Sequence, residues 1–304
     1  MKLTQSPIDS IQFLDRTIYV KRDELLHPQF SGNKARKFHY FLEQDYPSVN
    51  KLVSYGSCQA NSLYSLSALA KIRNWTLDYY VDRIPAHVKQ HPIGNYQGAI
   101  QNGANIVEFN ADIIGDAEAK QSWLEQQFAQ RSDTLFIPEG GRCEFARFGV
   151  HQLGKEIVSW CEQQNFQQLK VFLPAGTGTT ALYLQEYFML TRKNIQVFTC
   201  AVVGDSNYLS KQFNMLSDNK YHYPQILTLE KKYHFGRLYR EFYEIWQDLN
   251  RCDIEFDLLY DPLGFLTILA NQNVFSSKPL LYIHQGGLKG NETMNARYQR
   301  KFGK

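Results

Sequence analysis

Apolar positions along the chain fall into two alternating rhythms. Short apolar runs predict strands at 17–21, 51–55, 77–81, 105–109, 134–137, 170–173 and 196–203, near 226, ending at 258–259, and at 279–284. Longer stretches with apolar residues three and four apart predict helices at 33–44, 61–73, 94–102, 116–130, 145–164, 179–190, 206–216, 236–251 and 263–275. Leu63, Leu66, Leu69 and Ala70 share one face of the second helix, Gly103 stops the third, Asp116 offers an acidic cap to the fourth, and Pro138 with Gly140 and Gly141 ends the strand before them. From 218 to 234 aromatic and polar residues mix without a period. Strands alternating with helices predict an α/β fold of doubly wound parallel sheets, with ligands bound beyond the carboxyl ends of the strands.

Composition adds limits to this picture. The chain has 304 residues, enough for two lobes, with 43% hydrophobic and 21% charged residues, the balance of a folded globular protein. No apolar run reaches the length of a bilayer span and residues 1–7 lack the apolar centre of a signal peptide, so the expectation is a cytoplasmic protein without a membrane partner. A net charge of +3 gives no footing for nucleic acid. Cys58, Cys143, Cys161, Cys200 and Cys252 are scattered and odd in number, which argues for reduced thiols and against a zinc site. His87 and His91 stand four apart, but no third ligand accompanies them and Pro92 follows, so no metal is expected. The nineteen Tyr and twenty Phe point first to aromatic core packing.

Three stretches carry candidate chemistry. Ser31-Gly32-Asn33-Lys34-Ala35-Arg36-Lys37 follows the charged end of a strand, Lys21-Arg22-Asp23-Glu24, and sets Lys34 in the first turn of a helix, where the dipole disfavours the ammonium and helps make the amine a nucleophile. The plainer alternative is a solvated basic face formed by Lys34, Arg36 and Lys37. Leu173-Pro174-Ala175-Gly176-Thr177-Gly178-Thr179-Thr180 joins a strand to a helix, with the glycines, hydroxyls and helix start of a phosphate cradle or simply of a tight turn. It has neither the lysine of a P-loop nor the third glycine of a dinucleotide fingerprint. Gly56-Ser57-Cys58-Gln59-Ala60-Asn61-Ser62 ends another strand and, at its plainest, caps the next helix.

Taken together, Lys-Arg-Asp-Glu, Gly-Asn-Lys-x-Arg-Lys and Gly-Ser-x-Gln-x-Asn resemble the 1-aminocyclopropane-1-carboxylate deaminase and D-cysteine desulfhydrase family. The resemblance implies a tryptophan synthase β-like fold (fold type II of the pyridoxal phosphate enzymes). It implies a small lobe at 49–147 inserted in a large cofactor-binding lobe at 1–48 plus 148–304, pyridoxal 5'-phosphate as cofactor between the lobes, and a homodimer. Carried over position by position, Lys34 forms the Schiff base, Gly176, Thr177, Gly178, Thr179 and Thr180 hold the phosphate, and Asn61 bonds the phenolic oxygen. Ile283-His284-Gln285-Gly286-Gly287-Leu288 resembles His-Thr-Gly-Gly-Leu, with Gln285 in place of the threonine near the pyridine nitrogen. Ile137-Pro138-Glu139-Gly140-Gly141 matches a small-lobe turn, and the sequence assigns Glu139 no catalytic role.

Two positions depart from the family. Ala60 stands where relatives have the serine of Gln-Ser-Asn, and Asp261-Pro262-Leu263-Gly264-Phe265 has Gly264 where relatives have the tyrosine of Asp-Pro-Val-Tyr. Lys34 is then the clear acid–base group, with Ser57, Gln59, Ser62 and Tyr260 as substrate-side candidates and Tyr55 nearby. The implied function is a pyridoxal phosphate-dependent lyase or deaminase of a small amino acid, like D-cysteine desulfhydrase rather than a true ring opener. The alternative is a family member that has become a small-ligand binding protein.

Overall fold

The computed structural model describes residues 3–110 and 117–303, so the acidic cap expected at Asp116 lies outside the described residues. Ten strands form two sheets: β1 (Ile8–Phe13), β2 (Arg16–Arg22), β3 (Lys51–Tyr55), β4 (Thr76–Val81), β5 (Asn105–Glu108), β6 (Thr134–Phe136), β7 (Leu169–Ala175), β8 (Ile195–Ala201), β9 (Gln225–Ile226) and β10 (Leu280–His284). The larger sheet has the order β1-β2-β10-β7-β8-β9 and the smaller β5-β4-β3-β6. The pairings are parallel except for β1 with β2. The strands of the smaller sheet all come from the chain between β2 and β7.

The large sheet is covered on both faces, which is why β7 and β10 read as near-continuous apolar runs. The core of the small sheet draws on Leu26, Phe30, Ala35, Phe38 and Phe41, which precede it in the chain and join the lobes. No helix among the described residues is long and apolar enough to cross a membrane.

Four local expectations are corrected. Strand β1 was not expected; it pairs residue for residue with β2 as an edge hairpin whose exposed face is polar, so its sequence shows little contrast. The single helix at 33–44 is two, Gly32–Phe38 and Tyr40–Glu43, because Gly149 of the helix Ala146–Gln163 packs directly on the Arg36 carbonyl and the chain tightens at His39. There is no strand at 258–259: the N–H groups of Phe256, Asp257 and Leu258 bond to the side chains of Asn250, Asp261 and Asn291, so no neighbouring strand is needed to satisfy them. Beyond the last expected strand, where no element was expected, residues Asn291–Phe302 form a docked helix, with Met294 and Tyr298 buried and Arg297 and Lys301 bonded to the carbonyls of Gly236 and Leu238.

Candidate active site

The helix Gly32–Phe38 is clamped from below. Arg36 is fully buried and bonds Asp23 at 2.8 and 3.0 Å and Glu156 at 2.7 and 2.8 Å; Lys21 also reaches Glu156, at 2.8 Å. These partners hold the Glu156 carboxyl down at about 2 against the upward push of burial. Glu24 pairs with Arg22 and, at 3.3 Å, with His284 at the end of β10. The Lys-Arg-Asp-Glu stretch is therefore the anchor of the lysine helix. The solvated-face alternative fails, because Arg36 and Lys37 are buried.

Lys34 lies above this anchor, partly exposed, its amine 3.4 Å from the Gly140 carbonyl. Burial pushes its pKa down to about 8, opposed by its hydrogen bond with Lys37 and by the charge of Glu139. The cause is thus desolvation more than the helix dipole read from sequence. Sequence reasoning missed Lys37, whose amine takes the same carbonyl at 2.6 Å. Burial, then the neighbouring Lys34 charge, pushes it well below the ordinary lysine range. Its signal was the spacing: one turn after Lys34 on a helix, it emerges on the same side.

Across the cleft, β7 ends at the 173–180 loop. Gly178 has φ 70°, and a Cβ there would press on Phe213 and lie 2.6 Å from Leu209, so this glycine serves backbone and packing. Among the described residues, the backbone N–H groups of Gly176, Thr177 and Gly178 have no acceptor, and the buried Thr180 hydroxyl has no partner. The Thr177 and Thr179 hydroxyls lie 3.1 Å apart. The Gly140 turn closes over this loop, since a Cβ on Gly140 would lie 3.1 Å from Thr177. Unpaired N–H donors, an orphaned hydroxyl and a buried lysine without a carboxylate partner are a donor set that fits a phosphate dianion.

Asn61 begins the helix Asn61–Arg73 and faces the large lobe, its amide nitrogen 2.5 Å from where a Gly287 Cβ would stand. Buried Asn95 donates to its Oδ1 at 2.7 Å, fixing the amide so that its nitrogen points into the cleft. Gln285 ties the lysine helix to the end of β7: it donates to the Pro174 carbonyl at 2.5 Å and accepts from Asn33 at 3.2 Å. Tyr260 is placed by its N–H bond to Asp257, 2.6 Å, and its hydroxyl stands 3.4 Å from a would-be Gly176 Cβ.

The other substrate-side candidates diverge. Ser57 is exposed and accepts from the Gln59 amide. Gln59 spends both ends of its side chain on the Ile93 carbonyl and the Tyr96 N–H, capping the helix Gly94–Gln101. Ser62 is buried against the Tyr79 hydroxyl at 3.1 Å. Ala60 is the partly exposed residue before the Asn61 helix, and Gly264 is buried, its Cβ position 3.0 Å from the Tyr282 hydroxyl, itself bonded to Asp261 at 2.5 Å. Tyr55 donates to Gln121 at 2.8 Å.

This architecture is the tryptophan synthase β-like, type II fold of pyridoxal phosphate enzymes. The crystal structure of an ACC deaminase homologue superposes with a TM-score of 0.78 over 99% of this chain and 95% of that one, at 20% identity. A hydrogen sulfide-producing enzyme from Fusobacterium nucleatum gives 0.65 over 93% and 94%, at 15% identity. D-Cysteine desulfhydrase of Salmonella typhi is 25% identical over 182 residues, 56% of this chain and 52% of that protein. The chain thus spans about half the length of the curated relatives it matches. No protein-family model matches it. The resemblance read from the lysine, asparagine and glycine motifs is borne out by both sets of relatives.

Proposed function

We propose that this protein is a pyridoxal phosphate-dependent lyase or deaminase acting on a small amino acid by β-elimination. The observation that carries the reading is the Lys34 amine, its pKa lowered by burial to about 8, together with a loop of unpaired donors. Pyridoxal phosphate, when bound, supplies an electron sink that acidifies the α-hydrogen of an attached amino acid. Lys34 would hold the cofactor by its amine and, once released, take the α-proton. The amides of Gly176, Thr177 and Gly178, the hydroxyls of Thr177, Thr179 and Thr180, and the Lys37 amine would hold the phosphate. Asn61 would donate to the ring oxygen, and Gln285 would face the ring nitrogen without giving it a full charge.

The division into 1–48 plus 148–304 and 49–147 belongs to this reading, supported by the strand order, as do a homodimer and a cytoplasmic location. The small-ligand binding alternative lacks support: the named relatives are enzymes. Incubation with pyridoxal phosphate followed by a screen of both hands of cysteine, β-chloroalanine and serine for keto acid tests the proposal. Keto acid from a yellow protein is the expected result; a colourless, inert protein overturns it.

A further inference from the structure

Arg142 lies two residues beyond Gly140, in the turn after β6, and its guanidinium fastens that turn. It donates to Gln212 and, at 3.0 Å, to Gln121. Gln212 is a buried residue of the helix Ser206–Asn214, which follows β8 of the larger sheet, and Gln121 belongs to the helix Ala117–Phe128, which precedes β6 of the smaller one. The Gln121 oxygen that accepts from Arg142 also accepts from the Tyr55 hydroxyl at 2.8 Å, and the Gln121 nitrogen donates to Glu125 at 2.7 Å. One planar fork of N–H donors thus ties the turn to a helix next to a strand of each sheet in the chain.

The turn needs that tie. Gly140 and Gly141 have φ of 66° and 71°, and a stiffer residue meets resistance at both: a Cβ on Gly141 would lie 2.6 Å from the Phe38 ring, and one on Gly140 3.1 Å from Thr177. Within the turn the N–H groups of Gly141 and Arg142 bond the carbonyls of Pro138 and Glu139 at 3.0 and 3.3 Å. Two successive glycines have the most backbone freedom to lose on ordering. Yet the Gly140 carbonyl has to stand where two amines reach it, 3.4 Å from Lys34 and 2.6 Å from Lys37.

The Arg142 charge acts on the neighbours of Lys34: it helps draw down the Glu139 carboxyl, and it adds to what burial and Lys34 do in lowering Lys37, which Cys143 opposes. Lys34 itself feels burial first, then Lys37 and Glu139. Arg142 therefore reaches Lys34 through the turn. Resting on the lyase and deaminase reading above, we infer that Arg142 is a positioning residue, which ties the Gly140 turn to Gln121 and Gln212 and so keeps the Lys34 amine covered and ready to take up the cofactor.

The test reads the Lys34 amine without the cofactor. The full chain is labelled with trace acetic anhydride across the pH range and mapped by peptide, and the Lys34 midpoint in the native protein is expected at about 8. Arg142→Ala removes the tie, whereas Arg142→Lys keeps the charge and loses the fork. Both should raise the midpoint by about one unit, as water reaching the amine relaxes the effect of burial. Gln212→Leu cuts one arm and should raise it by less, and it decides by the same readout wherever an Arg142 variant does not fold. Colour development with pyridoxal phosphate at pH 7 should slow about tenfold in the Arg142 variants, the loss of neutral amine that a one-unit rise implies. A lower melting temperature with an unmoved midpoint is what a merely structural role gives, and it overturns the inference. A native midpoint in Arg142→Lys beside a raised one in Arg142→Ala assigns the effect to charge and overturns it too. Native protein that takes up no pyridoxal phosphate overturns the lyase and deaminase reading, while the labelling midpoints still decide whether Arg142 positions the turn.

Discussion

Lys34 and Lys37, one helical turn apart, reach the same carbonyl, that of Gly140, at 3.4 and 2.6 Å. Two buried amines cannot both remain charged there, so the pair stores a neutral amine at ordinary pH without needing a carboxylate base. The turn after β6 that supplies the carbonyl also carries Glu139, whose charge opposes the fall of the Lys34 pKa.

That arrangement predicts how the cofactor enters. Lys34 has its pKa lowered to about 8, so its neutral, nucleophilic fraction grows as pH rises through that value. The rate at which colour develops with pyridoxal phosphate should increase from pH 7 to 9 and level off above. Lys34→Ala should give no visible band. Borohydride reduction and peptide mapping check the site, and a label on Lys37 instead would overturn the assignment.

The loop prediction separates packing from binding. Gly178→Val should cost about 2 kcal/mol of stability or more, because the side chain meets Phe213 and Leu209 at a positive φ. It therefore cannot report on phosphate affinity. Thr180→Val keeps the shape and removes only the orphaned hydroxyl. Its melting temperature should hold while cofactor dissociates about tenfold faster, as loss of one hydrogen bond to a charged group implies. Equal retention in dialysis would remove Thr180 from the cradle.

Acid should loosen the anchor under Lys34. Glu156 has a folded-state pKa near 2 against an ordinary 4.5, a depressed carboxyl. Its contribution is fully present above about 4.5 and is lost as pH falls towards 2, since protonation then favours the unfolded chain. Arg36→Met breaks the same network, takes from Asp23 its Arg36 ion pair and leaves Glu156 with Lys21, and should cost about 3–5 kcal/mol at neutral pH. Urea unfolding at pH 7 and 3 measures both effects. A difference between native protein and variant that does not shrink at pH 3 would dissociate Glu156 from the anchor.

Ring opening of 1-aminocyclopropane-1-carboxylate should be slight beside turnover of β-chloroalanine. Ala60 has no proton to give, and Gly264 is buried against Tyr282, Phe172 and Pro174, where a tyrosine has no room. Each missing acid–base group costs on the order of 10²–10⁴ in rate. Comparable kcat/KM values for the two substrates would show that another hydroxyl, such as that of Tyr260, has taken over.

The local motifs were legible because their constraints are local. A Gly-Asn-Lys helix start, a Gly-Thr-Gly loop after an apolar strand and a Ser-x-Gln-x-Asn cap each declare themselves through backbone needs within a few residues. The helices Asn61–Arg73 and Thr179–Leu190 and the strand Lys51–Tyr55 fall where apolar spacing predicts them. What the tertiary structure alone decided is which polar groups are paired. Gln59 looks like a substrate ligand in sequence and is a helix cap; Ser62 looks the same and faces Tyr79. Lys37 and Arg36 read as one basic face, yet among the described residues Arg36 meets two carboxylates and Lys37 meets none. Glu139 carries no distinguishing pattern, and the charges of Arg142 and Lys34 that act on its carboxyl are set by the fold. Pairing and desolvation depend on three-dimensional distance, which no short-range spacing encodes.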